Sequence, residues 1–197
     1  MQVSVSRPPE VLEHGPATLR RWRFGDEEAA FVAIIESQEH LRPWMPWAKG
    51  YSRENSVEFV AGCDRDWDSG AAFNYAIIVD GVIAGSCGLM ARLGPGALEI
   101  GYWVHRDYVR RGLATASAAA LTSAAFALPG IDRVEIVHDE LNRPSEAVPR
   151  KLGFTRAGQR MLDFPPEAGT GLGIVWRLDR PAATPSAATA GSQRSPG

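Results

Sequence analysis

An apolar strand, a basic turn and an alanine-rich helix are predicted to follow one another directly between Leu98 and Ala116, and this succession constrains the fold more than any other feature. The turn contains Arg110, Arg111 and Gly112. Free N–H groups at a helix start, together with the helix dipole, favour an anion such as a phosphate group. The two arginines add positive charge, and the glycine lets the backbone approach a ligand closely. The turn is therefore either an anion site or an ordinary basic loop. The two best-known phosphate-binding motifs do not decide between these alternatives, because neither G-x-x-x-x-G-K-[ST] nor G-x-G-x-x-G is found near the turn.

Composition narrows the class of protein. A chain of 197 residues that is 45% hydrophobic is long enough for one domain with a sizeable core. The net charge of -2 does not indicate a nucleic-acid or membrane-surface binder. Cys63 and Cys87 are too few for a disulfide framework, which fits a reduced, cytoplasmic setting. The sequence has neither an N-terminal basic segment leading into an apolar run nor a stretch of about eighteen apolar residues, so export and membrane spanning are not expected.

Residues 16–180 alternate short strands with amphipathic helices, which predicts one mixed α/β domain. Residues 1–15 are polar with two adjacent prolines, and we expect them to be a flexible segment. Residues 181–197 are of low complexity without a large apolar side chain, and we expect them to be disordered. Strands are predicted over 17–23, 73–79, 82–89, 98–104, 132–137, 154–162 and 172–178, and helices after Asp26 and over 53–67, 111–128 and 142–152.

Local signals add detail to these elements. Asp80-Gly81 is a strong signal for a two-residue hairpin turn between two strands. Pro149 should shorten or kink the last helix, because proline lacks the N–H that the helix needs. Apolar spacing assigns an inner face to the first two helices: Phe31, Ile34 and Ile35 in the first, and Val57, Val60, Ala61 and Trp67 in the second.

Three segments carry a family resemblance. The run G-Y-W-V-H-R-D-Y-V-R-R-G-L-A-T and the later run N-R-P-S-E-A-V-P-R-K-L-G-F, from Asn142 to Phe154, resemble the two acetyl-coenzyme A (acetyl-CoA) motifs of the GNAT N-acetyltransferase superfamily. The run E-H-L-R-P-W-M-P-W, from Glu39 to Trp47, resembles the RimJ/RimL branch, whose members acetylate protein N-terminal amines or small amines. The resemblance implies the GNAT fold, an α/β fold whose mostly antiparallel sheet is splayed at the cofactor site and flanked by helices.

The resemblance also implies how acetyl-CoA is bound. The basic turn would hold the pyrophosphate mainly through backbone N–H groups, and pantetheine would add to the splayed edge of the 98–104 strand like another strand. Val109 occupies a position where the family usually has Gln or Arg, which puts side-chain contacts to the pyrophosphate in doubt. The implied cofactor-binding residues are Trp103, Val104, Arg110, Arg111, Gly112, Leu113, Ala114, Thr115 and Asn142.

Glu99 is a carboxylate within an apolar strand, so it requires either an ion-pair partner or a functional reason. A protonated amine cannot attack a thioester, and a base near the amine removes that obstacle. In the resemblance Glu99 has the position of this base. Backbone N–H groups around Trp103 and Val104 would polarise the thioester oxygen.

The departing thiolate of coenzyme A needs a proton or a hydrogen bond. Many GNAT enzymes use a tyrosine on the last helix, but Pro149 occupies that place here. The RimJ/RimL resemblance suggests Ser145 as the substitute. The alternative is that Ser145 only bonds its own backbone at the helix start. Asn142 is similarly divided between a helix N-cap and a cofactor contact.

Aromatic residues between two prolines are candidates for the acceptor site. Trp44, Met45 and Trp47 are either core residues or, in the RimJ/RimL-like interpretation, walls of the acceptor site. Phe164 lies in a Pro-rich and Gly-rich segment that would form the opposite rim.

The sequence thus indicates an N-acetyltransferase that transfers acetyl from acetyl-CoA to an amine by direct attack, with a protein or peptide N-terminal α-amine as the first candidate. A small-molecule amine, such as an antibiotic, polyamine or amino acid, is the alternative acceptor. A non-catalytic acyl-CoA-binding regulatory protein is the alternative of another class. We expect no metal, because the four histidines show no ligand spacing. A cytoplasmic monomer or homodimer without nucleic-acid or membrane partners is expected.

Overall fold

The computed structural model describes residues 6–182, so most of the predicted disordered tail lies outside the described range. The strands are β1 (Val11–His14), β2 (Ala17–Arg21), β3 (Ala72–Val79), β4 (Val82–Met90), β5 (Ala97–Val104), β6 (Arg133–Asp139), β7 (Thr155–Met161) and β8 (Leu172–Asp179). The α-helices are α1 (Glu27–Glu36), α2 (Gln38–Leu41), α3 (Arg53–Ser69), α4 (Leu113–Ala127) and α5 (Arg143–Lys151).

All eight strands form one sheet in the order β1-β2-β3-β4-β5-β6-β8-β7. Every neighbouring pair is antiparallel except β5 and β6, which are parallel. Their pairing ends at Ile100 and Ile136, although β5 continues to Val104 and β6 to Asp139. The two strands therefore separate toward their carboxyl ends. This confirms the mixed, mostly antiparallel and splayed sheet that the resemblance implies.

The first hairpin corrects the expected flexible segment. Within residues 1–15, residues 11–14 form β1, which pairs with β2 from Val11 opposite Arg20 to His14 opposite Ala17. Gly15 forms the turn with a φ of 54°, and Leu12 packs against the core. A glycine at the first position of a two-residue connection is a hairpin signal. That signal outweighs the polar composition of the segment.

The second hairpin has the expected turn. Asp80 and Gly81 connect β3 to β4 with φ angles of 50° and 78°. Positive φ at both central residues matches the twist of the flanking strands, as in a type I′ turn. The predicted hairpin is confirmed.

Helices cover both faces of the sheet. Helix α4 packs against one face through small and apolar side chains, and its buried residues include Ala116, Leu121 and Ala125. Helices α1, α2 and α3 contribute to a second cluster on the other face, which also includes Trp103 of β5. None of the helices formed by residues 6–182 has the length and apolar character needed to cross a membrane.

The inner faces of α1 and α3 differ from the prediction. The buried residues of α3 are Ser56, Val60, Cys63 and Trp67. Val57 and Ala61 are exposed, because they lie about 100° around the helix from Ser56 and Val60. In α1 the buried residues are Ala30, Ala33 and Ile34, whereas Phe31 is half-buried and Ile35 is exposed. Small or polar side chains, Ser56 and Cys63 in α3 and Ala30 and Ala33 in α1, therefore complete both contact faces.

Candidate active site

A cavity of about 470 Å³, here called the main cavity, opens where β5 and β6 separate. Its walls come from the end of β5, the start of α4, the inner face of α5 and the segment after α2. Of the predicted cofactor-binding residues, the following line it: Trp103, Val104, Arg110, Gly112, Leu113, Ala114, Thr115 and Asn142. The structure thus brings together residues that are up to 39 positions apart in the chain, from Trp103 to Asn142.

The start of α4 presents backbone donors to the main cavity. Gly112 is the N-cap residue with a φ of 78°, and no side chain caps the helix. Arg110 also has a positive φ of 62°, which is uncommon for a residue other than glycine. The first N–H groups of a helix have no partner within the helix. Here they face a cavity rather than a capping side chain, as expected for an anion site.

Positive side chains lie at two places around the main cavity. Arg110 and Lys151 line it, from the turn and from the end of α5 respectively. Arg111 does not line it, because its guanidinium lies over the Tyr108 ring at 4.8 Å from the centroid. Lys151 was missed in the sequence, although its spacing could have found it: Pro144, Ala147, Val148 and Lys151 follow i, i+3, i+4, i+7 on one helical face.

The exposed edge of β5 is suited to pair with an extended ligand. The His105 N–H donates to the Ala84 carbonyl of β4 over 2.8 Å. Since backbone groups of successive strand residues point to opposite edges, the N–H groups of Val104 and Tyr102 face the gap toward β6. The Trp103 backbone faces β4, where a β-carbon at Gly85 would lie 2.3 Å from the Trp103 carbonyl oxygen. Of the two backbone N–H groups expected to polarise the thioester oxygen, that of Val104 therefore faces the gap and that of Trp103 does not.

The hydroxyls of Tyr102 and Ser145 meet between β5 and α5. The Tyr102 hydroxyl lies 3.1 Å from Ser145 Oγ and donates to the Ser145 carbonyl oxygen over 3.2 Å. Pro149 explains the second contact, because proline cannot donate to the carbonyl four residues earlier, which belongs to Ser145. Pro149 does not end α5, which continues to Lys151. Of the two expected effects of Pro149, a shortened or a kinked helix, the shortening is absent, since the hydroxyl of Tyr102 satisfies the freed carbonyl.

Burial raises the pKa of Tyr102 to about 12, against a smaller opposing effect of its bond to Ser145. The phenol therefore stays protonated at neutral pH and acts as a hydrogen-bond donor. The Ser145 N–H donates to Asn142 Oδ1 over 3.1 Å, so Asn142 is the N-cap of α5 and also lines the main cavity. Tyr102 was missed in the sequence, because an aromatic residue in an apolar strand resembles an ordinary core residue.

Glu99 is buried between two arginines. Its carboxylate accepts hydrogen bonds from Arg92 and from Arg160, the latter over 2.7 Å, and its side chain is 4% exposed. The two arginines are thus the ion-pair partners that a carboxylate within an apolar strand is expected to need. An ionised carboxylate has about four lone-pair positions, so two arginines leave acceptor capacity for a further donor. Glu99 also lines a polar cavity of about 190 Å³, here called the polar cavity.

The alternation of β5 separates two sides of the site. Tyr102 faces α5, whereas Glu99, Gly101 and Trp103 lie on the opposite face of the sheet. That second face carries an apolar cavity of about 430 Å³, here called the apolar cavity. The polar cavity lies between the two sides, because Asn142 and Ser145 at the start of α5 line it together with Glu99. Tyr102 and Met45 line all three cavities. A ligand in the main cavity can therefore meet a second ligand that approaches from the other face.

The predicted acceptor residues surround these two cavities. Met45 lines all three cavities, and Trp44 lines the main and polar cavities. Trp47 lines the apolar cavity and Phe164 the polar cavity, where Phe164 is 80% exposed at the rim. The structure thus places all four around the polar and apolar cavities.

Contacts between two loops hold the acceptor side together. The Ala168 N–H, in the β7–β8 loop, donates to the Pro43 carbonyl over 2.9 Å. Glu167 of the same loop pairs with Lys49 over 2.8 Å. Lys49 lowers the pKa of this carboxyl through the hydrogen bond and its charge. The segment after α2 and the β7–β8 loop therefore form connected walls.

Other ionisable groups near the site are already engaged. His138 Nε2 accepts from the Trp176 indole over 2.9 Å, and its Nδ1–H donates to the Asp139 carbonyl over 2.8 Å. Asp139 accepts from the N–H groups of Leu141 and Gly171.

Burial lowers the pKa of His40, which lines the main cavity, and the charge of His105 adds to this effect. Among residues 6–182, no group of three or more His, Cys, Asp or Glu side chains is arranged to hold a metal ion.

Known proteins are similar to this chain in sequence and in fold. The family description "Acetyltransferase (GNAT) domain" matches residues 17–155. The "Putative ribosomal N-acetyltransferase YdaF" of Bacillus subtilis (strain 168) is 27% identical over 154 residues, which cover 76% of this chain and 82% of that protein.

Solved structures agree with the fold. The ribosomal L7/L12 alpha-N-protein acetyltransferase RimL, solved with coenzyme A, has a TM-score of 0.79 at 22% identity, covering 86% of this chain and 98% of that chain. RimJ of Mycobacterium smegmatis, in complex with CoA-disulfide, has a TM-score of 0.78 at 22% identity, covering 88% and 90%. These similarities confirm the resemblance to the RimJ/RimL branch. The chain belongs to the GNAT acetyltransferase family, and acetyl-CoA is its cosubstrate.

Proposed function

We propose that this acetyltransferase acetylates the α-amine at the N-terminus of a protein or peptide. The observation that carries the proposal is the junction of the three cavities at Met45 and Tyr102, where a cosubstrate from one face can meet an acceptor from the other. The names of the relatives support the same acceptor class, because RimL is described as an alpha-N-protein acetyltransferase.

The main cavity would hold acetyl-CoA. The first N–H groups of α4 and the side chains of Arg110 and Lys151 suit the pyrophosphate. Arg111 remains a candidate for a more peripheral phosphate contact. The open edge of β5 at Tyr102 and Val104 suits the amide groups of pantetheine, which would extend the sheet by strand-like pairing.

Glu99 would prepare the amine for attack. The acceptor loses a proton to Glu99, directly or through a water molecule, and its nitrogen then attacks the thioester carbon. The N–H of Val104, which faces the gap, would stabilise negative charge on the thioester oxygen. The ion pairs with Arg92 and Arg160 hold the carboxylate in place for this step.

Ser145 would assist the leaving group. The carbon–sulfur bond then breaks, and the attacking nitrogen, which carries a positive charge after bond formation, releases its second proton to solvent. The sulfur leaves as a thiolate that a hydrogen bond from the Ser145 hydroxyl stabilises before solvent supplies a proton. The Tyr102 O–H lies within reach of both the Ser145 carbonyl and Ser145 Oγ. When it donates to Oγ, it orients the serine hydroxyl and leaves the serine hydrogen available to the sulfur. The products are an N-acetylated amine and the free thiol of coenzyme A.

The charge of the acceptor side favours a peptide over a small polycation. The carboxylates that line the polar and apolar cavities are Glu99 and Asp139, and both are engaged by donors of the protein. A polyamine or aminoglycoside carries several positive charges that need unengaged carboxylates. A peptide N-terminus carries one, and it is deprotonated during the reaction.

Thiol release from acetyl-CoA tests the proposal. The purified protein would be assayed with N-terminal peptides, polyamines and aminoglycosides, and the products would be identified by mass spectrometry. We expect peptide acetylation with one thiol released per acetyl group transferred. Turnover confined to polyamines or aminoglycosides would contradict the proposed acceptor, and cofactor binding without turnover of any acceptor would contradict the proposed reaction.

A further inference from the structure

The floor of the apolar cavity is a row of three residues across three strands. Asn74 of β3 pairs with Gly88 of β4, and Gly88 pairs with Gly101 of β5. The two adjacent glycines contribute no side chain of their own, and the side chains of Asn74 and Met90 lie close over them. The resulting space has a volume of about 430 Å³. It is within the size range of ligand sites and is large enough for a bulky side chain.

The walls of the apolar cavity are mainly aromatic. Trp47, Tyr51, Phe59 and Trp103 surround it, with Ile34 and Met45 beside them. Trp47 packs against Tyr51 with ring centroids 5.8 Å apart and against Trp103 at 6.3 Å. Such walls favour an apolar or aromatic occupant, which gains from burial and from ring contacts.

The charges around the apolar cavity exclude a cationic occupant. The charged side chain in its lining is Arg92, and the Arg92 guanidinium is bonded to Glu99. The lining contains no carboxylate. A lysine or arginine side chain placed here would lose its hydration without gaining a counter-charge.

The apolar cavity adjoins the place where acetyl transfer would occur. Met45, Tyr102 and Trp103 line both this cavity and the main cavity. The side chain of an N-terminal residue is attached one carbon away from the reacting α-amine. We propose that the apolar cavity binds the side chain of the acceptor's first residue and selects a large uncharged one, such as Met, Leu or Phe. This inference rests on the proposed function, since it assumes an α-amine acceptor.

Peptides that differ only in their first residue test the selectivity. Six peptides beginning with Phe, Leu, Met, Ala, Ser or Lys would be compared by kcat/KM. We expect Phe, Leu and Met to exceed Ala and Ser by about tenfold or more, because each methylene in an apolar pocket discriminates by about that factor. Lys should be the poorest. A preference for Ala, Ser or Lys would overturn the inference.

Two cavity variants and one control locate the selectivity. Gly101→Ala adds a methyl group to the floor, where the closest atom is the flexible Met90 Cε at 2.9 Å, so the fold can accommodate it. Trp47→Ala removes a half-exposed wall. Both should reduce the Phe to Ala ratio of kcat/KM several-fold. Gly62→Ala in α3, whose β-carbon would meet only Arg65 at 3.7 Å, should not change it. An unchanged ratio in both cavity variants would overturn the inference.

Affinity measurements separate this inference from the proposed function. Calorimetry with coenzyme A already bound measures peptide binding without any acetyl transfer. If no peptide is acetylated, the proposed function fails, but tighter binding of the Phe peptide than of the Ala peptide would still support the apolar cavity as its site. Equal binding of the two peptides would overturn the inference whether or not turnover occurs.

Discussion

Pro149 and Tyr102 together give Ser145 an environment that an ordinary helix start would not provide. Proline leaves the Ser145 carbonyl without its helical donor, and Tyr102 supplies one from the neighbouring strand while its oxygen lies 3.1 Å from Ser145 Oγ. The serine is thus held at the edge of the main cavity by a group whose raised pKa keeps it protonated. The substitution of the usual tyrosine does not require a loss of catalysis.

Removal of either hydroxyl should slow the reaction without weakening cofactor binding. We expect Ser145→Ala to lower kcat by about 10- to 100-fold, because the thiolate loses its hydrogen bond, and Tyr102→Phe by about tenfold. Steady-state kinetics with acetyl-CoA measure both effects. Tyr75→Phe is the matched control, since the buried Tyr75 hydroxyl bonds the Pro9 carbonyl away from the three cavities. A kcat of Ser145→Ala equal to that of the unaltered protein would remove Ser145 from the mechanism.

Glu99 has a natural internal control one strand away. Glu135 is its register partner on β6, is also buried, and is also paired with two arginines, Arg133 and Arg177. Glu135 lines none of the three cavities. The two carboxylates therefore share their burial and ion pairing but not their access to an acceptor.

Glu99→Gln should lower kcat by about 100-fold, the usual contribution of a general base, and leave the affinity for coenzyme A unchanged. Glu135→Gln should affect stability but not kcat. Parallel kinetics and calorimetry on the two variants measure this difference. If both variants lose the same amount of activity, Glu99 is a structural ion pair and not the base.

At the scale of elements, the start of α4 depends on the backbone conformation of Gly112. Gly112 has a φ of 78°, and a β-carbon there would meet nothing within 4 Å. Gly130, in the connection after α4, has a φ of 74° and equally open surroundings, but it does not line the main cavity. Alanine at either position introduces the same backbone strain in different places.

We expect Gly112→Ala and Gly130→Ala to lower the free energy of unfolding by about 1–2 kcal/mol each, because an alanine in the left-handed region is strained. Only Gly112→Ala should weaken coenzyme A binding, by about tenfold, since the strain is relieved by moving the N–H groups that face the cavity. Denaturant unfolding and calorimetry provide the two readouts. Equal coenzyme A affinity in both variants would argue against the helix start as the pyrophosphate site.

The elements themselves were largely predictable, whereas their inner faces were not. Turn chemistry located the Asp80-Gly81 hairpin, and the basic turn located the start of α4. Apolar spacing predicts Val57 on the inner face of α3, yet Ser56 and Cys63 occupy the buried stripe. The contact of Tyr102 with Ser145 could not be predicted, because it depends on how α5 packs beside β5.

Across the whole molecule, the sheet separates two binding events. The cosubstrate would enter from the face that carries α4 and α5, and the acceptor from the face that carries α1 and α3. The two meet only where β5 and β6 separate, beyond Ile100 and Ile136. The same strand, β5, therefore contributes Tyr102 to one side of the reaction and Glu99 to the other.

Cofactor binding should stabilise the entire domain, because the main cavity joins β5, α4 and α5. At a coenzyme A concentration 100 times its dissociation constant, the gain is about 2.7 kcal/mol. For a chain of this size, that gain corresponds to a rise in Tm of about 5–10 °C. Thermal unfolding followed with and without coenzyme A measures it. A Tm that does not respond to saturating coenzyme A would contradict the assignment of the main cavity.

The most direct test of the central claim is competition between two amines within one peptide. A peptide with a free N-terminus and one internal lysine would be incubated with the protein and acetyl-CoA, and tandem mass spectrometry would locate the acetyl group. The α-amine should be acetylated and the lysine left unmodified, because an α-amine has a lower pKa than a lysine side chain and is more readily deprotonated. Acetylation of the lysine with a free α-amine would contradict the proposed function.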